Sequence, residues 1–138
     1  MIVNARIRLP QGGIAYLAGL KQSRKGYRIL SVNPQDNSLI QAFTYGAKAA
    51  GKQKTVLITL DSYEHIVCTP EQVFFTQEGE PIQAKDIKPG MSLLSACMSI
   101  SATVASIEAG NITEVYSLPV FEGENFVLCS GGLATKTE

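Results

Sequence analysis

The chain has a single histidine, His65, and no Cys-x-x-Cys pair among its three cysteines. A structural zinc site built from paired thiolates and imidazoles is therefore excluded, and no metal or other cofactor is expected. The cysteines, Cys68, Cys97 and Cys129, are odd in number and widely spaced. Each has apolar neighbours, so they read as small buried hydrophobes of a reducing compartment rather than as a disulfide framework. Excess charge of either sign is also missing: 12 basic residues balance 12 acidic ones. That balance favours neither nucleic acid nor an anionic membrane as a partner. No apolar run approaches the ~20 residues that cross a bilayer as a helix. The opening Met1-Ile2-Val3-Asn4-Ala5-Arg6 has no basic start and no long apolar core, so it does not read as a secretory leader. The cytoplasm, or a phage particle made there, is the expected setting.

What the chain does have is strand signal. With 138 residues it reads as one domain, 1–138, long enough to bury about two-thirds of its unfolded surface without staples. Residues 5–9 alternate apolar and polar, and Pro10-Gln11-Gly12-Gly13 forms a turn. Further strands are expected at 27–32, 39–45, 55–60, 65–68, 72–76, 92–95, 102–108, 114–120 and 125–129. Residues 46–52 carry alanines but are bounded by glycines, so a loop is expected there. Residues 84–90 end in Lys88-Pro89-Gly90 and read as a short helix stopped by proline and glycine. The last five residues are expected to fray. Many short strands at 8–12-residue spacing indicate an all-β domain.

The two halves also repeat each other weakly. Gly12, Leu17, Leu20, Gly26, Ile29, Leu30 and Ser31 stand opposite Gly79, Ala84, Ile87, Gly90, Leu93, Leu94 and Ser95, with an insertion near residues 23–25. Two copies imply a pseudo-twofold domain, since stacked arrays need at least three units.

Three segments resemble motifs of the Hint domain, the fold shared by inteins and the hedgehog autoprocessing domain. Cys68-Thr69-Pro70-Glu71-Gln72 resembles the intein run Cys-Thr-Pro-Asp-His. Ala84-Lys85-Asp86-Ile87-Lys88-Pro89-Gly90-Met91-Ser92-Leu93 resembles Ala-x-x-Leu-x-x-Gly-Asp-x-Leu. Val115-Tyr116-Ser117-Leu118-Pro119-Val120, followed by Asn125-Phe126, resembles Val-Tyr-Asp-Leu-x-Val and a later Asn-Phe. The resemblance implies a compact, pseudo-twofold β fold with both ends at one place. A β-sandwich or barrel unrelated to Hint is the competing architecture.

The family's chemistry, as the resemblance implies it, is an acyl shift. An opening Cys or Ser attacks the preceding carbonyl, a Thr and a His activate that amide, an Asp assists later steps, and a terminal His-Asn pair cleaves the far junction. A nucleophile and a positioned acid or base are both required. Here the matching positions hold Met1, Thr69, Gln72, Ser117, Thr135 and Lys136. Only Thr69 keeps the family's residue type. Glutamine exchanges no proton near neutral pH, and lysine does not cyclise as asparagine does. His65 reads as an ordinary strand histidine. The sequence thus points to a Hint-like domain with a degenerate site, kept as a structural or binding module for an unidentified protein partner or larger assembly. The alternative is an autoprocessing domain with altered catalytic residues.

Overall fold

The computed structural model describes residues 1–96 and 102–137, whose regular structure is strands joined by turns and three short 3-10 turns. Eleven strands run in chain order: β1 (Arg6–Arg8), β2 (Ile14–Tyr16), β3 (Tyr27–Val32), β4 (Leu39–Thr44), β5 (Lys48–Leu60), β6 (His65–Cys68), β7 (Val73–Phe75), β8 (Pro81–Gln83), β9 (Val104–Ser117), β10 (Phe126–Val127) and β11 (Ala134–Lys136). All named pairings are antiparallel. β1 pairs with β2 and β3 with β4; β6, β5 and β9 form a three-stranded sheet; β10, β11, β7 and β8 form a four-stranded one. One core joins them, with Ile7, Leu17, Ile29, Ile58, Leu60, Phe74, Phe126 and Leu133 all fully buried. Val32, Phe75, Leu94, Val127 and Ala134 make a smaller second cluster.

Strand β3 and strand β6 lie where the sequence places them. Several expectations are corrected. Residues 48–52 are not a loop but the start of β5. Residues 102–120 hold one 14-residue strand, not two. Both corrections have the same cause. β5 and β9 stay paired through three bulges, which absorb residues that break the alternation. At one bulge Gly110 and Asn111 together oppose Thr55. Gly110 is required there, because a Cβ would sit 2.5 Å from the Thr55 hydroxyl. That hydroxyl donates instead to the Asn111 carbonyl at 2.6 Å.

The third correction is the C-terminus. Residues 134–136 do not fray, because β11 lies between β10 and β7, with Thr135 opposite both Phe126 and Phe74. In β6 Ile66 and Cys68 are buried and Val67 is only half-buried, so the inward set is the Ile66–Cys68 member of the period-2 alternation. Cys129 is half-buried rather than buried, and Cys97 lies outside the described residues.

Two of the segments matched in the sequence share a local conformation. β2 runs directly into a 3-10 turn at Leu17–Gly19, and β8 into one at Ala84–Asp86. Each turn closes with the same bond, Leu20 N–H to Leu17 O at 3.0 Å and Ile87 N–H to Ala84 O at 3.1 Å. Gly12 and Gly79, the matching glycines, both have φ near +87° (+87° and +86°), a region open chiefly to glycine. The expected helix at 84–90 is only this single 3-10 turn.

Candidate functional site

The N-terminal segment is pinned between two strands. Ile2 bridges Tyr116 of β9 and Cys68 of β6, which sets Met1 beside the residue that follows β6, Thr69. The α-amino group donates to Thr69 Oγ1 at 2.8 Å. The Thr69 amide and hydroxyl both donate to the Met1 carbonyl, at 2.8 and 3.2 Å. Thr69 is buried, so this exchange of bonds is shielded from competing water.

After Thr69 the chain turns, with the Gln72 amide donating to the Thr69 carbonyl at 3.1 Å. Gln72 is fully buried. Its Nε2 donates to Thr135 Oγ1 at 2.7 Å, and the Thr135 hydroxyl donates onward to the Val73 carbonyl at 2.7 Å. The Gln72 Oε1 atom is buried with no hydrogen-bond partner among the described residues. Lys136 faces the other way: its Nζ lies 6.0 Å from the centre of the Phe75 ring. Side chains alternate along β11, so residue 137 returns to the side of Thr135. Thr137 Oγ1 accepts the Leu118 amide at 3.1 Å, directly after Ser117 at the end of β9.

Both chain ends thus meet around a hollow of about 270 Å³, lined by Met1, Gln53, Thr69, Glu71 and Thr137. Of the positions singled out by sequence, Met1 and Thr69 line it, while Gln72 and Thr135 form a bonded pair beneath the turn that carries Thr69. Lys136 is directed away. Three lining residues were not singled out. Glu71 was legible in principle, since it stands where the resembling motif has aspartate. Gln53 was hidden because it falls between the segment read as a loop, 46–52, and the strand expected at 55–60; it donates to the Ala50 carbonyl at 3.2 Å and lies 3.7 Å from the Met1 sulfur. Thr137 was hidden by a strand phase that only the pairing of β11 sets.

The thiol next to this site is buried. Burial pushes the Cys68 thiol up to about 12, the nearby α-amino charge pulls against that, and Glu71 adds to the rise. A thiol so placed stays protonated and is a poor nucleophile. His65 is exposed at the opposite end of β6, its Nδ1 3.1 Å from Thr59 Oγ1. It lines a separate groove with Tyr16 and Cys129 and takes no part in the site.

No family model and no curated protein matches the sequence. Solved structures do match in shape. A variant of the Ssp DnaB mini-intein superposes with a TM-score of 0.84 at 17% identity, covering 99% of this chain and 93% of that one. A DnaB intein from Synechocystis sp. gives 0.84 at 18% identity, covering 100% and 97%. A bacterial intein-like domain from Clostridium thermocellum gives 0.81 at 14% identity, covering 99% and 96%. The fold is that of the Hint domains. The chain thus has an intein-like fold, and its two ends converge on one hollow.

Proposed function

We propose that this Hint domain does not splice and serves as a structural or binding module within a larger protein assembly. The observation that carries the reading is Gln72. The family needs an imidazole there to pass a proton to the scissile amide, and this chain has a buried amide tied to Thr135. An amide side chain donates and accepts hydrogen bonds but does not release its proton near neutral pH. Loss of one acid–base group costs typically about 10²–10⁴-fold in rate. Two further features support the reading: Met1 carries a thioether at the nucleophile's position, and the adjacent thiol, Cys68, is held protonated.

A second reading, autoprocessing by altered chemistry, is favoured by Thr69. Its hydroxyl still contacts the Met1 backbone on both sides. One experiment separates the two. The domain is expressed between two reporter proteins and incubated for days with and without added thiol, beside a splicing-competent intein in the same flanks. The reporter fusion is expected to stay intact. Cleavage at either junction by the wild-type domain overturns the proposal and leaves autoprocessing standing.

A further inference from the structure

The basic residues are not evenly spread. No acidic residue precedes Asp36, yet six of the 12 basic residues do. Four of them, Lys21, Arg24, Lys25 and Arg28, fall within one short stretch and are exposed. Among the described residues only Arg28 of these four makes an ion pair, with Glu122 at 2.8 Å.

An exposed aromatic row lies against the same stretch. Tyr45 and Phe121 are each 50% exposed. Tyr45 meets Phe43 at 4.9 Å and Phe121 at 5.8 Å, edge to face in both cases. Arg28 stands over the Phe43 ring at 5.3 Å. The row is held by backbone and not by side-chain packing alone. Phe43 and Phe121 exchange amide bonds at 2.8 and 2.7 Å, and the Ser23 amide donates to the Tyr45 carbonyl at 2.9 Å. Gly46, at φ +116°, lets the backbone of Leu20 and Gln22 close onto it; a Cβ there would lie 2.8 Å from both. An open hollow of about 430 Å³ forms between Gln22, Ser23, Arg24 and Tyr45.

We propose that this basic–aromatic surface docks an acidic segment of a partner protein, with one apolar side chain seated against Tyr45 and flanking carboxylates facing Lys21, Arg24 and Lys25. Charge complementarity selects the partner: Arg24 lines the hollow, the exposed Lys21 and Lys25 flank it along the chain, and among the described residues no acid lines it. The pre-set rings cost little ordering on binding, which suits aromatic anchors to such contacts. Single-stranded nucleic acid fits less well. It needs open ring faces for successive bases, and here the rings meet edge to face while Arg28 covers Phe43. The surface shares no lining residue with the hollow at Met1, so it does not rest on that site being inactive.

The test is fluorescence anisotropy with a labelled peptide of glutamates flanking one phenylalanine. The same peptide with lysines for glutamates and an oligothymidine serve as the other probes. Saturable binding of the acidic peptide is expected, weakening about tenfold or more in Arg24→Glu and in Tyr45→Ala, and falling as salt rises. Amide shifts of the wild type on titration should centre on residues 21–28, 43–45 and 121–122, which reads the site even where a variant is less stable. No saturable binding, equal binding of the lysine peptide, tighter binding of the oligonucleotide, or shifts centred elsewhere would each overturn the proposal.

Discussion

Asn125 shows how much of this fold hangs on one side chain. It is fully buried, and its amide accepts from the Ser31 hydroxyl at 3.0 Å and the Val32 amide at 2.9 Å while donating to the Val32 carbonyl at 2.8 Å. It clips the end of β3 to the start of β10. Removing such a partner leaves buried backbone groups unpaired, at about 1–3 kcal/mol. Asn125→Ala is therefore expected to lower stability by about that amount in urea unfolding, with the m-value unchanged. Cys68 gives a second prediction at this scale. Its folded-state pKa of about 12 lies above the ordinary thiol value of 9.0. Below pH 9 both states hold the proton and the full stability is present. As pH rises from 9 to about 12 the unfolded thiol ionises first, so stability falls, by up to about 1.4 kcal/mol per pH unit. Other groups titrate in that range, so the readout is a difference: the loss should be steeper in the wild type than in Cys68→Ala. Equal slopes would show that the thiol is not desolvated as described.

The long β5–β9 ribbon governs the elements. It spans 13 and 14 residues and joins the core at one end, where Ile58, Leu60 and Val104 are buried, to an exposed middle. Its bulges keep the register while the sequence departs from alternation. Gly110 is the tightest point, and Gly110→Ala would force a methyl group against Thr55 Oγ1. Overpacking of this kind costs typically about 1–3 kcal/mol. A drop in melting temperature is expected for Gly110→Ala, and an unchanged melt would mean that the ribbon shifts register freely at this bulge. The same ribbon positions the site: its start carries Gln53 and its end carries Tyr116, which bonds Ile2 in both directions at 3.0 and 2.7 Å.

The convergence of both ends is a property of the whole molecule. No local element brings Met1 to Thr137; β6, β9 and β11 do so together, with Thr69 and Thr137 lining one hollow and the Leu118 amide donating to Thr137. A spin label at position 137, introduced as Thr137→Cys in a Cys129→Ser background, should broaden the amide signals of Ile2, Thr69 and Glu71. Signals left sharp at all three would place the ends apart and contradict the arrangement. The same convergence is what a splicing domain needs, since its flanks must be joined. In this chain the ends converge beside Gln72, a buried amide bonded to Thr135, and the function proposed above rests on that observation.

Much of the architecture was written in local pattern. The alternation of β3, the β-branched run of β5 and the glycines at 12 and 79 are short-range signals, because strand phase and positive φ depend on neighbours one or two residues away. Thr69 was legible for the same reason: its motif is contiguous. What only the tertiary structure decided lies where a distant strand overrides local preference. Residues 46–52 and 109–113 look like breaks until β5 and β9 pair and bulge around them. The last residues look loose until β10 and β7 enclose β11. The direction in which Lys136 and Thr137 point, and hence which of them joins Met1, follows from that enclosure, because a one-residue change of phase sends every side chain of a strand to its other face.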